Sequence, residues 1–181
     1  MSDLSPGFVD PVAGAQACFR SVLDAMSRPG RVQTIHGVSA PLPLCDAAAA
    51  VLLTLIDHET GLWLDPDAEA ARPWITFHTG ASGHTGASGH TGASGQGFNG
   101  NGAAFAMALS LPDLTILPAG TDEMPETSAT VILQISSLTT GRRYILEGPG
   151  LREPADLFVD GLPPDFAAIW QRNHALFPRG I

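Results

Sequence analysis

DAAAAVLLTLIDHETGLWL, residues 46–64, decides the fold class, because it joins a strongly apolar helix to a short strand. Asp46 is a good N-cap for a helix that continues to about Asp57. This helix is apolar on most of its sides, which predicts that it is deeply buried. The residues from Gly61 to Leu64 predict a strand. A buried helix followed by a strand is typical of an α/β domain.

Two further helices are predicted, one near each end of the chain. Apolar residues recur at helical spacing from Ala13 to Met26, and Pro29-Gly30 stops that helix. The last helix extends from Phe166 to about Leu176, and Pro163-Pro164-Asp165 opens it. Both helices therefore have recognisable boundaries.

Several strands are predicted between these helices. They are expected at Val32 to Ile35, Trp74 to Phe77, Ala129 to Ser136 and Tyr144 to Glu147, with a turn at Asp65-Pro66-Asp67. Ala103 to Leu109 fits either a strand or a short helix. Gly141 is expected to turn the chain between the last two strands as a hairpin. Because several strands follow one another without a helix, we expect an α/β fold with a mixed sheet flanked by helices.

The length and charge of the chain restrict the possible functions. Its 181 residues predict a single domain, 1–181, and its net charge of −9 disfavours binding to nucleic acid or to anionic membranes. All nine cationic side chains are Arg, and the chain contains no Lys. A Schiff-base lysine for pyridoxal phosphate and a phosphate-binding loop of the G-x-x-x-x-G-K-[ST] type are therefore excluded.

Cysteine usage and the N-terminus favour a cytoplasmic protein. Cys18 and Cys45 lie in separate apolar stretches and are expected to be two buried, reduced thiols. The first ten residues have neither a basic nor an apolar region of the kind found in signal peptides. The longest apolar run, Ala47 to Ile56, is about half the length of a membrane span.

Residues 78–95 repeat the hexapeptide HTGASG three times, and a Gly- and Asn-rich segment continues to residue 102. A six-residue unit with two glycines cannot bury an apolar face, so a tandem duplication that lengthens a surface loop over residues 78–102 is favoured. A metal site formed by His78, His84 and His90, or a glycine cradle for phosphate, is the alternative. Equal spacing in a flexible chain does not preorganise ligands, so no metal and no cofactor is expected.

No constellation of residues amounts to an active site, and no catalytic residue is predicted. Arg142 and Arg143, expected in the turn between two strands, form the best candidate anion contact, although exposed hairpin charges are the favoured interpretation of the pair. Asp57-His58-Glu59 fits acid–base chemistry less well than the exposed end of a helix. The acidic segment from Asp122 to Glu126 could hold a divalent cation, but such segments are more often solvated loops.

An ordered series of motifs carries a resemblance to a known family. The first motif combines Pro11-Val12, Gln16, Phe19-Arg20 and the run AMSRPGRV at residues 25–32. The later motifs are VLLTLIDHET (51–60) with Trp63-Leu64, Phe77-His78-Thr79, ATVILQ (129–134), Ser137-Leu138, Gly141-Arg142, Gly148-Pro149-Gly150 and Phe177-Pro178-Arg179-Gly180-Ile181. Together they cover nearly the whole chain, which resembles the H subunit family of the bacterial carbon–phosphorus lyase. The positions singled out as family motif are Phe19, Arg20, Met26, Ser27, Pro29, Gly30, Gly148 and Gly150.

This resemblance implies a fold, a set of partners and a reaction. The fold is a three-layer α/β arrangement similar to the large domain of pyridoxal-phosphate transferases, without the cofactor site. The implied partners are a second copy, in a homodimer, and the G, I and J subunits of the lyase complex. With the G, I and L subunits, the family supports attack of a phosphonate on the ribose C1′ of ATP, and adenine leaves.

Two features depart from the family pattern. The triple HTGASG expands a loop that is shorter in the family, and the chain ends where the family adds strand-forming residues. A shortened C-terminus of this kind would leave a sheet edge unpaired. Both features are also consistent with a defective paralogue.

The charge of the chain and the resemblance together predict an accessory subunit. A reaction between a phosphonate dianion and a nucleoside triphosphate needs concentrated positive charge, which a chain at −9 supplies poorly. We therefore expect catalysis to reside mainly on the I subunit. The alternative is a stand-alone transferase that acts on phosphate or phosphonate esters, with Arg142, Arg143 and a metal at the acidic segment.

Overall fold

The computed structural model describes residues 5–81, 83–85 and 102–181, and residues 83–85 are described by their backbone alone. Its helices are α1 (Pro11–Ser27), α2 (Asp46–Leu55), α3 (Arg72–Thr79) and α4 (Phe166–His174). Its strands are β1 (Leu62–Leu64), β2 (Gly83–Thr85), β3 (Phe105–Ala108), β4 (Thr130–Leu133), β5 (Ser137–Leu146) and β6 (Ala155–Asp160). Short 3₁₀ helices lie at Pro66–Ala71, Leu114–Ile116 and Pro125–Thr127.

The strands form two separate sheets. A four-stranded parallel sheet has the order β2-β1-β3-β4, and β5 pairs with β6 in an antiparallel ladder. The α/β class is therefore confirmed, but the described strands place the parallel and antiparallel pairings in different sheets and not in one mixed sheet. The three-layer resemblance to pyridoxal-phosphate transferases stays a prediction.

Side chains from both faces of the parallel sheet are buried. Leu62, Leu64 and Met107 lie on one face, where they pack in a single cluster with residues of α1, α2 and α3. Trp63 and Ala106 point to the other face, where Leu117 and the C-terminal Ile181 cover them. Such alternation along a strand follows from its two-residue repeat. The larger cluster lies on the face covered by helices.

Most of the predicted helices and strands are confirmed. Helices α1 and α4 and strands β1 and β4 lie where they were expected, and 103–109 contains strand β3 and not a helix. Helix α2 is capped by Cys45, whose Sγ accepts a hydrogen bond from Ala48 N, and not by Asp46. The expected turn at Asp65-Pro66-Asp67 is the start of a 3₁₀ helix.

Two of the predicted strands are absent from their expected positions. Residues 32–35 have no regular secondary structure, and Trp74 to Phe77 belong to helix α3. Pro73 occupies the first turn of α3, where a missing N–H costs little, and Trp74 and Ile75 are buried. A four-residue apolar run fits a buried helix as well as a strand, so tertiary packing decided the outcome.

The predicted hairpin at Gly141 is also wrong. Strand β5 continues through Gly141, and its antiparallel partner is β6, while β4 belongs to the parallel sheet. The register of the β5–β6 ladder shifts between Ser137 and Arg142, so the glycine marks an irregularity inside a strand.

The segment predicted as a loop over residues 78–102 is partly structured. His78 and Thr79 end helix α3, and Gly83–Thr85 form β2 on the edge of the parallel sheet. Residues 86–101, and with them most of the repeat, lie outside the described residues. In the part of the chain that is described, no helix is long and apolar enough to cross a membrane.

Candidate functional site

Helix α1 has one buried side and one exposed apolar side. Cys18 is buried and Val22 packs against the core beside it. Beside this buried stripe four large apolar side chains are exposed to solvent: Val12 (69%), Phe19 (45%), Leu23 (50%) and Met26 (72%). Because they follow one another along the same flank of the helix, this exposed apolar side is a candidate contact surface.

The end of α1 meets the connection between β5 and β6. The chain leaves α1 through Arg28, and its main-chain N–H groups at Arg28 and Arg31 donate to Ala25 O and Arg28 O at 3.3 and 3.0 Å. Gly30 has a φ of +87°, and a β-carbon placed on it would lie 2.9 Å from Cδ1 of Leu146 at the end of β5. The positive φ favours glycine here, and a β-carbon would in addition displace the end of the Leu146 side chain.

Gly150 meets the same requirement from the other side of this junction. It has a φ of +90°, and a β-carbon on it would lie 3.2 Å from Cδ of Pro29 and 3.5 Å from the main-chain O of Ser27. The structure thus brings Gly150 to Ser27, Pro29 and Gly30, which precede it by about 120 residues in the chain. We call these four residues the α1–β5 junction. Gly148 lies in the same turn, where a β-carbon would have no neighbour within 4 Å.

A small charged cluster surrounds Asp24 on the last turns of α1. Arg28 forms an ion pair with Asp24, Arg31 Nη1 lies 3.4 Å from Asp24 Oδ2, and Gln33 Nε2 donates to the same carboxylate. These contacts hold the segment after α1 against the helix. Phe19, Arg20 and Met26, the remaining motif positions on α1, are all exposed. One helix therefore carries both the motif residues of the junction and an exposed apolar side.

Arg142 and Arg143 lie inside strand β5, so the prediction that they occupy a turn is wrong. Neighbouring residues of a strand point to opposite faces, and their contacts differ accordingly. Arg143 forms an ion pair with Asp156 at 2.9 Å, and Arg142 Nη1 donates to Pro164 O at 2.6 Å. Arg142 also lies over the ring of Tyr144, 5.5 Å from its centroid. Their contact with an anion stays a prediction, but the two side chains do not form one binding pocket.

The carboxyl end of the parallel sheet, where α/β proteins commonly bind ligands, is closed by Asp65. This residue directly follows β1 and is 6% exposed. Its carboxylate accepts hydrogen bonds from Asp67 N (3.0 Å), Leu109 N (3.0 Å) and Ser110 N (3.4 Å). Sequence reasoning predicted only a turn here and missed the role of Asp65, although a carboxylate directly after a buried strand was a usable signal.

Gln134 connects the same end of the sheet to the start of α2. Its Oε1 accepts from Cys45 N at 2.8 Å, and its Nε2 donates to Pro43 O at 3.0 Å. Among the described residues no buried side-chain N or O lacks a hydrogen-bond partner. Asp65 and Gln134 therefore bond to main-chain groups at this end of the sheet. Their contacts support a structural role and not a catalytic one.

The remaining sequence-predicted polar residues are dispersed. Asp57 follows α2 by two residues, and hydrogen bonds from Thr60 Oγ1 and Glu59 N lower the pKa of its carboxyl. His58 is exposed and lies 3.8 Å from Glu59. The set thus forms a turn beyond the end of α2, in agreement with the exposed-end interpretation.

Of the three histidines in the proposed metal site, the structure describes only the side chain of His78. His78 packs on Trp74, with ring centroids 4.7 Å apart, and its Nε2 lies 3.0 Å from Ser5 O. His90 and the side chain of His84 lie outside the described residues, so the histidine hypothesis stays a prediction. Across the described part of the chain, no three His, Cys, Asp or Glu residues are close enough together to hold a metal ion.

The acidic segment is instead tied to the end of the chain. Asp122 pairs with Arg179 at 3.1 Å, and Gly180 N donates to Ala119 O at 2.9 Å. Asn173 donates to Ile181 O and accepts from Ile181 N, at 2.7 and 2.9 Å. The C-terminal motif therefore packs on the loop that precedes β4.

The two cysteines differ in environment. Both are free thiols, as expected, but Cys45 is exposed and only Cys18 is buried. Burial raises the pKa of the Cys18 thiol, and a hydrogen bond with Thr54 partly offsets that effect. The expectation that both are buried is wrong for Cys45, because its position at the N-terminus of α2 leaves its side chain at the surface.

Comparison with known proteins matches nearly the whole chain. The family model described as bacterial phosphonate metabolism protein (PhnH) matches residues 6–181. The chain is 37% identical over 180 residues to the alpha-D-ribose 1-methylphosphonate 5-triphosphate synthase subunit PhnH of Rhizobium meliloti (strain 1021), covering 98% of this chain and 85% of that protein. It is 30% identical over 171 residues to the putative C-P lyase subunit protein HtxG of Stutzerimonas stutzeri, covering 92% of this chain and 75% of that protein.

Proposed function

Since the chain belongs to the bacterial phosphonate metabolism protein (PhnH) family, we propose that it is an accessory subunit of a carbon–phosphorus lyase complex. In this role it supports formation of alpha-D-ribose 1-methylphosphonate 5-triphosphate from ATP and methylphosphonate without supplying catalytic groups. The observation that carries the proposal is the similarity to a synthase subunit over 98% of the chain. The proposed partners are the G, I and J subunits and a second copy in a homodimer, and the proposed location is the cytoplasm.

The disposition of positive charge supports an accessory role. The reaction brings a phosphonate against a nucleoside triphosphate, and both are strongly anionic. Its transition state requires several cationic groups aimed at one place. This chain has nine arginines, and five of them form ion pairs with carboxylates: Arg28, Arg31, Arg72, Arg143 and Arg179. These five are distributed over α1, the start of α3, β5 and the C-terminus, so they do not converge on a single site.

The arrangement of α1 and β5 supports a role in assembly. The exposed apolar side of α1 ends beside the α1–β5 junction, where Gly30 approaches Leu146 and Gly150 approaches Pro29. A helix with exposed Phe19, Leu23 and Met26 is the kind of element that a subunit interface buries.

The stand-alone transferase is the rival proposal, and the geometry favours it less. It requires Arg142 and Arg143 to act on one anion, but the two side chains lie on opposite faces of β5 and have other partners. The geometry gives no specific reason to prefer it.

Co-expression tests the proposal. The tagged chain is produced with the G, I and J subunits, and the complex is isolated and its subunits quantified. We expect this chain to co-purify with them in a fixed ratio. A chain that purifies alone under conditions where the other three assemble would contradict the proposal.

A further inference from the structure

The carboxylate of Asp65 lies at the point where the connections of the parallel sheet diverge. The chain leaves β1 towards β2 at one edge of the sheet and leaves β3 towards β4 at the other edge. The carboxyl ends of the neighbouring strands β1 and β3 therefore form the topological switch point, where open α/β sheets commonly bind their ligands. Asp65 directly follows β1, and Leu109 and Ser110 directly follow β3.

The hydrogen bonds of this carboxylate are those of a bound anion. Its Oδ1 accepts from Asp67 N at 3.0 Å, and its Oδ2 accepts from Leu109 N at 3.0 Å and from Ser110 N at 3.4 Å. Three main-chain N–H groups from two different strand connections thus converge on one planar group. Main-chain N–H groups that point into one concavity bind anions.

The carboxylate is buried without a cation among the described residues. Asp65 is 6% exposed and is the only buried polar or charged residue in the part of the chain that the structure describes. None of the ion pairs between described residues includes it. A buried carboxylate is costly unless hydrogen-bond donors replace the lost water. The three N–H groups therefore do for Asp65 what they would do for an anion bound from solution.

We propose that the switch point is an anion site which the chain fills with its own side chain. Asp65 acts there as a tethered ligand, and the site takes one small planar carboxylate. An anion from solution, such as a phosphonate or a nucleotide, is excluded from the three N–H groups because they are already bonded. The inference rests on the sheet topology and these hydrogen bonds and not on the proposed function, so its failure would leave the accessory role untouched.

The main chain around the site has hydrogen bonds that do not involve the carboxylate. Asp65 N donates to Met107 O at 2.9 Å, which extends the pairing of β1 with β3, and Ala68 N donates to Asp65 O at 2.8 Å. Leu109 and Ser110 follow β3, whose position is fixed by its pairing with both β1 and β4. Removal of the carboxylate therefore leaves the three N–H groups in place without their acceptor.

Asp65→Gly in sodium formate tests the proposal in the full-length chain. Glycine removes the methylene together with the carboxyl group, so a free formate fits without a clash against a β-carbon. Because formate binds only the folded variant, we expect the unfolding equilibrium constant to fall about tenfold when formate is at about ten times its dissociation constant. Urea denaturation at constant ionic strength, with sodium chloride in place of formate as the reference, measures this change and its limiting slope of one formate per chain.

Asp65→Asn is the matched control, because it fills the same space. Its amide has the shape of the carboxylate but only one acceptor oxygen, so it leaves an N–H group without a partner and leaves no room for formate. We expect this variant to be destabilised and insensitive to formate. Asp113→Gly is the second control, since Asp113 accepts from Thr115 N at 3.0 Å in a similar turn but is exposed, where water can replace its carboxylate.

Each outcome decides for or against the site. Formate that stabilises Asp65→Gly and neither control supports it, and so does a glycine variant that folds only in formate. Equal responses of the three variants, or a glycine variant that formate does not stabilise, would overturn it. Methylphosphonate is larger than the carboxylate it would replace and is expected to leave Asp65→Gly unchanged. A stronger stabilisation of Asp65→Gly than of the wild-type chain by methylphosphonate would reject a carboxylate-sized site.

Discussion

Gly150 approaches Pro29 so closely that a β-carbon placed on Gly150 would lie 3.2 Å from Cδ of Pro29. The turn after α1 and the turn after β5 are therefore packed on each other, although they are far apart in the sequence. This close approach links helix α1, with its exposed apolar side, to the antiparallel β5–β6 ladder.

Gly30→Ala is predicted to lower the free energy of unfolding by about 1–3 kcal/mol, because a β-carbon there meets Leu146 Cδ1 and the residue has a positive φ. Urea denaturation measures the change. Gly102→Ala is the matched control, since Gly102 has a similar φ of +98° but has no neighbour within 4 Å of its β-carbon position. An equal loss of stability in both variants would show that the close contact contributes nothing.

Asp65→Ala is predicted to lower the free energy of unfolding by about 2–4 kcal/mol, because three main-chain N–H groups lose a buried carboxylate acceptor. Asp113→Ala is the control, since Asp113 caps a 3₁₀ helix in the same way but is exposed. Chemical denaturation of both variants compares them. Equal, small effects would contradict a structural role for Asp65 at the end of the sheet.

Cys18 is predicted to make stability fall at alkaline pH. Burial raises the pKa of its thiol in the folded chain, so the folded state holds the proton more tightly than the unfolded state. The resulting stabilisation is complete below the unfolded pKa, about 8.5, and is lost as the pH rises through the higher folded pKa. Thermal unfolding over this pH range measures the loss, and Cys18→Ala should lack the thiol-dependent part of it. Identical pH profiles for the two chains would reject the effect.

Arg142→Ala is predicted to leave turnover per assembled complex unchanged. The variant loses the hydrogen bond to Pro164 O and the contact with Tyr144, so a loss of stability of up to about 1.5 kcal/mol is expected. Adenine release, normalised to the amount of complex isolated, separates the two effects. A drop of more than tenfold per complex would instead favour the transferase hypothesis. Arg143→Ala, which removes an exposed ion pair, serves as the comparison.

The sequence was sufficient where a segment determines its own structure. Helix α1 has helical spacing and a Pro-Gly stop, and the β-branched run at β4 has a strong strand preference, so both were predicted correctly. Trp74 to Phe77 has no such periodicity over four residues, and its burial in α3 depends on packing against distant elements.

Long-range pairing was outside the reach of local patterns. Nothing in the run from Ser137 to Leu146 indicates that its partner is β6 and not the adjacent β4. The error placed Arg142 and Arg143 in a turn. The α1–β5 junction was likewise unpredictable from spacing, although the motif that carried the family resemblance contained both of its halves.

Adenine release from ATP and methylphosphonate, assayed with the G, I and L subunits in the presence and absence of this chain, shows whether the chain is an accessory subunit. We expect no release by the isolated chain and a clear gain when it joins the other subunits. Turnover by the isolated chain would contradict the accessory role.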